Sequence, residues 1–354
     1  MRILLLTCVF SLFSSLALAQ QPPWFNSFSY KMDPAPGFVA STFIWHGKEN
    51  YSNQAGELGT TYQATIANIP ISHDENHITS VFLNESARYF KNDRTLEQGT
   101  TLSNAYHDMG MGFQHRRRLG KNKKDRFGVF VQGGMFSDEP FEDIADVSYQ
   151  ANITYRLGTG TKGKNGWVFL ANISNIRGFA NNLPLPGLMY AYESNPKWTV
   201  FVGVPIISVQ YRPTKKWSLQ TFTLAGINSE ASVSFAPIFP TLFTAGYRWG
   251  NQTWQARDRV NNDDRVNFSQ MQAFLNLRQF LSYHWGIFLE GSYAFERRIF
   301  ESENFFNPGV DITQVDPTFT FQGGISFLWG VEKLEKERKE RIKRLKAAAE
   351  AKQL

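Results

Sequence analysis

The segment Ala145-Asp-Val-Ser-Tyr-Gln-Ala-Asn-Ile-Thr-Tyr-Arg-Leu157 separates into two faces when every second residue is taken. Val147, Tyr149, Ala151, Ile153, Tyr155 and Leu157 share one side; Asp146, Ser148, Gln150, Asn152, Thr154 and Arg156 share the other. Side chains alternate across a strand, so the pattern predicts a strand with one apolar and one wholly polar face. It is also long: a strand tilted across a bilayer needs about 9–11 residues, against about 5–6 in a globular sheet. Its tyrosines suit the aromatic girdle of a membrane barrel with a polar lumen. Taken alone, the same strand would serve in a water-soluble sandwich or a lipocalin-like barrel. The rest of the chain decides between these.

Arg2, the apolar run Ile3 to Leu18 and the closing Ala17-Leu18-Ala19 make a charged, an apolar and a small-residue region in the order of a cleaved secretory signal, predicted over residues 1–19. Cys8 is the single cysteine and falls inside that apolar run. A mature chain without it has no disulfide and no cysteine metal site, so burial and hydrogen bonding must hold it together. Aromatic residues make up 15% of the sequence although its mean hydropathy is −0.34. A membrane barrel reconciles the two values by spending aromatics on its outer face and keeping its inner face polar.

Residues 20–37 are Pro-rich and read as a periplasmic entry segment. Strands follow at Phe38–Gly47, Thr60–Ile69, His77–Lys91, Asn104–Arg118, Arg126–Phe136 and Gly166–Ser174. Between them lie a basic turn (Leu119 to Asp125) and an acidic loop (Ser137 to Ile144). Further along, Ser269–Phe280, Trp285–Phe295 and Thr318–Trp329 repeat the two-faced pattern. In the second of these Trp285, Ile287, Leu289, Tyr293 and Phe295 oppose Glu290 and Glu296. Asn276 and Arg278 lie on the polar face of the first. The segment from Arg297 to Asp316 reads as a long loop.

Two turns share a plan: Tyr192 leads through Asn195-Pro196-Lys197 to Trp198, and Tyr211 leads through Pro213-Thr214-Lys215-Lys216 to Trp217. Proline fixes the bend, lysine solvates it, and the Tyr/Trp pair suits a membrane–water boundary. Pro205 within Gly203-Val204-Pro205 cannot donate to a ladder, so a bend is expected there. If both Tyr-to-Trp turns are periplasmic, that bend is an outer turn between unusually short strands. With the entry Leu183-Pro-Leu-Pro-Gly187, this block (183–219) resembles an uncharacterised family of Gram-negative outer-membrane β-barrel proteins, a domain of unknown function. The resemblance implies a barrel and an outer-membrane location; it implies no activity.

The last strand, ending in Phe327 and Trp329, looks like the C-terminal signal read by the outer-membrane assembly machinery, though residues 331–354 follow it. That tail changes period: Glu332/Lys336, Glu335/Lys339, Glu337/Arg341 and Glu340/Arg344 are favourable i,i+4 helical pairs. A charged periplasmic helix is expected, available to a periplasmic partner.

The expectation is an all-β chain: residues 20–330 form an antiparallel transmembrane β-barrel of about 12–14 strands, in contact with outer-membrane lipid. Asp146, Gln150, Asn152, Arg156, Asn276, Arg278 and Glu290 are expected to face the lumen. Tyr192, Trp198, Tyr211, Trp217, Trp285 and Trp329 are expected at the membrane interface. His107-Asp108, Asp263-Asp264 and His73/His77 are the only material for catalysis or a metal and have no distinctive spacing, so no catalytic residue, metal or cofactor is assigned. The basic balance lies largely in the tail and one turn and argues for no nucleic-acid partner. A passive pore for small hydrophilic solutes is the leading expectation and a non-conducting structural or surface-interaction barrel the alternative; an outer-membrane hydrolase, which would need a His within reach of Ser or Asp on the outer rim, is the third.

Overall fold

The computed structural model describes residues 37–330, apart from positions 75, 98, 100, 121, 143–145, 161–162, 176–179, 226, 239, 257–263, 283 and 304–311. The expected signal segment, entry segment and C-terminal helix lie outside the described residues. Among the described residues there are seventeen strands: β1 (Gly37–His46), β2 (Leu58–His73), β3 (His77–Asn92), β4 (Ala105–Leu119), β5 (Asp125–Ser137), β6 (Val147–Thr159), β7 (Asn165–Ser174), β8 (Leu185–Tyr192), β9 (Trp198–Val204), β10 (Ile206–Tyr211), β11 (Trp217–Leu224), β12 (Asn228–Phe235), β13 (Thr241–Trp254), β14 (Arg265–Phe280), β15 (Trp285–Ser302), β16 (Thr313–Val315) and β17 (Thr318–Trp329).

Each strand pairs antiparallel with the next around a ring, and β1 closes it against β17 from Gly37↔Trp329 to His46↔Thr320. The three-residue β16 sits on β15 beside the ring and is not part of it, because β15 pairs directly with β17. The barrel therefore has sixteen strands, more than the 12–14 expected. The difference comes from β9 to β12, which have 7, 6, 8 and 8 residues and fall below the length that marks a spanning strand in sequence.

Connections at the two ends differ. At the end carrying the first and last strand ends, the turns are short; Asp74, for example, accepts from the backbone N–H of Asn76 and of His77 (2.5 and 2.9 Å) to close the β2–β3 hairpin. Both Tyr-to-Trp turns lie here. At the opposite end the β1–β2, β3–β4, β5–β6, β7–β8, β13–β14 and β15–β17 connections are long, whereas β9 and β10 meet directly at the cis Val204–Pro205 bond. The bend at Pro205 is thus a turn on the long-loop side.

The wall is uneven. Strand length falls from 16 residues at β2 and β3 to 6 at β10 and rises to 18 at β15. Along β6 the predicted faces separate: Val147, Tyr149, Ile153, Tyr155 and Leu157 are exposed, while Ser148, Asn152, Thr154 and Arg156 are buried. In a closed sheet the exposed face is the outside. β15 and β17 repeat the arrangement, with Trp285, Ile287, Leu289, Tyr293, Phe319, Phe321 and Ile325 outside.

Close approach of neighbouring strands depends on glycine at one crossing especially. A Cβ on Gly134 would lie 1.9 Å from the Met109 carbonyl oxygen, so no other residue fits there without moving backbone.

Candidate functional site in the barrel interior

The inner face divides into two arcs and a cap. The first arc, on β3–β6 and β12–β15, is polar and cross-linked by side chains. Asn84 donates to Asp108 (2.9 Å) and accepts from Gln132 (2.8 Å), joining β3, β4 and β5. Asn172 donates to Asn152 (2.7 Å), and Arg156 donates to Glu193 (2.6 Å) and to the Lys164 carbonyl (2.7 Å). Across the ring, Arg248 pairs with Glu290 and donates through Nε to Gln272 (2.5 Å), while Asn276 donates to Glu290 (3.2 Å). The Arg278 guanidinium lies 5.7 Å from the centre of the Phe288 ring.

Of the residues expected to face the lumen, Asp146, Asn152, Arg156, Asn276, Arg278 and Glu290 are buried and Gln150 is half-buried. Asn276 and Glu290 meet directly and Arg156 belongs to a separate cluster, so they form no single site. Gln272, on the same polar strand face as Asn276 and Arg278, joins these networks; Arg248, Asn84, Gln132 and Glu193 complete them and were not singled out from sequence. Arg248 had a legible signal: Thr244, Gly246, Arg248 and Gly250 alternate with Phe243, Ala245, Tyr247 and Trp249.

The second arc is apolar. Phe130 on β5, Val168 and Leu170 on β7, Met189 and Ala191 on β8, Phe201 on β9, Ile206 on β10, and Phe222 and Leu224 on β11 form one buried cluster. A polar lumen is the rule for membrane barrels, and this sector departs from it. The sequence hid it because both faces of these strands are apolar, which erases the period of two.

The cap closes over the tall wall at the long-loop end. Tyr51, Leu58, Phe90, Leu96, Leu102, Tyr106, Trp254 and Phe268 are among the residues of a second buried cluster. Its loops are tied together: Ser52 donates to Asp316 (2.6 Å), Asn53 to the Ile312 carbonyl (2.8 Å), Gln54 to the Thr95 carbonyl (2.7 Å), and the Glu97 N–H to Thr313 (2.8 Å). Beneath them Arg88 lies over Phe268, 4.2 Å from the ring centre, and donates to Gln252 (2.6 Å).

Glu49, in the β1–β2 loop, is fully buried and pairs with the equally buried Arg297 of β15. It also accepts from the Thr60 hydroxyl (2.7 Å), and His46 Nδ1 lies 3.3 Å away. Burial pushes the Glu49 carboxyl up, but the His46 contact, the Arg297 charge and the Thr60 hydroxyl outweigh it and hold it down at about 2. Arg297, expected to open a loop, is inside the wall. β15 places both Glu296 and Arg297 opposite the single residue Gln270, and Glu296 has a φ of 49°. This bulge turns the Arg297 side chain inward.

His107 and Asp108 point to opposite faces of β4: Asp108 binds Asn84, whereas His107 packs edge-on to the ring of Tyr89, 6.3 Å away. His73 and His77 flank a tight turn, where His77 pairs with Asp74 (2.9 Å). Asp263 lies outside the described residues. Among the described residues, no group of three or more His, Cys, Asp or Glu is placed to hold a metal.

The six aromatics expected at an interface all end strands beside the short turns. Trp198 stacks on Tyr211 (4.2 Å), Trp285 packs on Phe327 (4.7 Å), and Phe327 stacks on Trp329 (6.3 Å). Trp217 stacks on Phe235 (4.5 Å), and Tyr192 pairs with Val200 in the ladder. A second outer group, nearer the long loops, includes Trp45 with Phe321 (6.0 Å) and Tyr293 with Phe319 (5.1 Å).

No protein-family model matches the chain, and no curated protein matches it. Solved structures of similar shape include an outer membrane channel from Pseudomonas putida F1, with 9% identity, coverage of 85% of this chain and 98% of that one, and a TM-score of 0.37. The deltaS2S3 mutant of the TodX monoaromatic hydrocarbon channel is similar at 10% identity over 87% and 92% of the two chains, TM-score 0.41. The translocator domain of the autotransporter NalP from Neisseria meningitidis is similar at 8% identity over 84% and 90%, TM-score 0.33. The shared feature is the barrel.

Proposed function

We propose that this chain is an outer-membrane β-barrel that acts as a passive channel for small hydrophilic solutes. The observation that carries the reading is the closed sixteen-strand ring with an apolar outside and a charged, hydrogen-bonded inner arc. Barrels of 16–18 strands are wide enough for an aqueous channel. At a rise of about 3.4 Å per residue and a tilt of about 40°, the outer apolar stretch from Trp285 to Phe295 spans about 26 Å of height, close to the roughly 25 Å belt of such barrels. Short turns at one end and long loops at the other fit periplasmic and external sides. The six strand-end aromatics then lie at the periplasmic headgroup level, and Asp146, Gln150, Asn152, Arg156, Asn276, Arg278 and Glu290 face the lumen.

Glu290 and Arg248 set both signs of charge on the wall, which suits solutes selected by size more than by charge. A non-conducting barrel is the second reading. It is favoured by the near-complete burial of Asn152, Arg156 and Asn276, which leaves little of these side chains open to water. Single-channel conductance of the refolded protein in a planar bilayer, with and without residues 331–354, separates the two. Discrete reproducible steps support the channel, and a change on removing the tail makes that segment part of its control. A folded but silent barrel refutes the channel and leaves the structural role.

A further inference from the structure

Two independent features coincide on one side of the barrel. The first is height. From Trp198 to Val204 the outer face of β9 is apolar, yet it rises only about 16 Å at the same tilt, about 10 Å less than β15. Above Val204 the wall stops, because Pro205 turns directly into β10. Hydrophobic mismatch of this size draws the surrounding lipid down toward the rim.

The second feature is the lining. Immediately behind the low rim the inner face carries Ile206, Phe222, Leu224 and Met189, all buried and apolar. Outside it, Val204 is 68% exposed and Val202, Ile207 and Leu188 are exposed as well. The rim itself is slim: Gly203 and Gly187 put no side chain on the inner face, and a Cβ on Gly203 would lie 2.1 Å from the Leu188 carbonyl oxygen. Both faces of the sheet are therefore apolar at the place where the sheet is shortest. A molecule crossing this edge leaves hydrocarbon and meets side chains that are hydrocarbon-like except for the buried Ser208 hydroxyl of β10, and no charged group. Elsewhere the inner wall presents Arg248, Glu290 or Asn84, which an apolar molecule would have to strip of water.

We propose that the sector β8–β11 is a side port through which small apolar molecules exchange between the outer leaflet and the barrel interior. The proposal rests on the barrel spanning the outer membrane, and not on hydrophilic solutes passing through it. The port accepts solutes by their lack of polar groups, and the polar arc opposite excludes the same solutes from the rest of the lumen.

The test uses the full refolded chain in vesicles of phospholipid with a lipopolysaccharide outer leaflet, which is slow to admit apolar dyes. Influx of N-phenyl-1-naphthylamine, read as its fluorescence rise, reports the apolar route; swelling in arabinose reports the hydrophilic one. The native chain should raise dye influx several-fold over protein-free vesicles. Ile206→Asn, behind the rim, and Val204→Arg, on its exposed face, should each return influx to within about twofold of protein-free vesicles while leaving arabinose swelling unchanged. Val204 lies outside the packed cluster, so the second variant decides if the first does not fold. Dye influx equal to that of protein-free vesicles, or influx that both folded variants retain, overturns the port. Sugar swelling without dye influx removes the port alone; dye influx without swelling removes only the hydrophilic channel.

Discussion

Glu49 and Arg297 join a loop to the barrel wall through a pair with no exposed side-chain surface, which makes it a sensitive contact to perturb. Arg297→Met keeps the length of the side chain and removes its charge. Glu49 is then left with Thr60 and His46 as partners for a buried carboxylate. Breaking a buried pair from one side costs about 3–5 kcal/mol, or about two to three and a half orders of magnitude in the folding equilibrium.

The pH dependence bears on a related quantity, the net gain from His46, Arg297 and Thr60 together in holding Glu49 ionised. The Glu49 carboxyl sits at about 2 in the folded chain, well below its ordinary value of 4.5. Its folded pKa is depressed, so its contribution is complete above about pH 5 and is lost as pH falls through about 2. The difference corresponds to about 3 kcal/mol, within the range expected for the broken pair. Urea unfolding of the barrel in phosphatidylcholine vesicles, followed by tryptophan fluorescence at pH 7 and pH 3, measures both. The double variant Glu49→Leu/Arg297→Met replaces the pair by apolar groups and should recover most of the loss. A single variant that costs less than about 1 kcal/mol, or a double variant no more stable than the single one, refutes the reasoning.

Three other outcomes follow from particular contacts. Gly134→Ala drives a Cβ into the Met109 carbonyl across the β4–β5 ladder and should abolish the heat-modifiable folded band on gels, whereas an alanine at Gly291, which has open space around it, should not. Thr214 accepts the Lys216 and Trp217 N–H groups (both 3.2 Å) in the β10–β11 turn; Thr214→Ala should cost about 1 kcal/mol in the same urea assay. Arg248→Ala removes the guanidinium paired with Glu290 and should shift reversal potentials under a KCl gradient toward cation preference, a change that a closed barrel would not display.

Much of the architecture was legible because it rests on alternation. On β6, β14, β15 and β17 one face is apolar and the other polar, so pattern alone assigned inside and outside. The Pro205 turn was legible because proline lacks a donor. Four things were not. The count fell short because β9–β12 are shorter than a spanning strand. The apolar inner arc was hidden where Trp167 and Phe169 face out beside Val168 and Leu170 facing in, leaving no period to read. Glu49 and Glu193 lie in connections, where no repeat exists, and Arg297 was assigned to a loop because the bulge beside Glu296 breaks the alternation that would have turned it outward. Leu96 and Leu102, in a stretch that reads as polar loop, are almost wholly buried in the cap.

The seam between β1 and β17 has a consequence for when the chain can enter a bilayer. It pairs the first described strand with the last, so the ring cannot close until synthesis has reached Trp329. Until then β1 and the growing edge both carry unpaired N–H and C=O groups, which hydrocarbon will not accept. Contacts this distant in sequence form slowly, and open edges held for that time invite pairing with other chains. Closure and insertion are therefore one event, and whatever shields the edge of β1 while the remaining strands are added controls how much of the protein reaches the membrane at all.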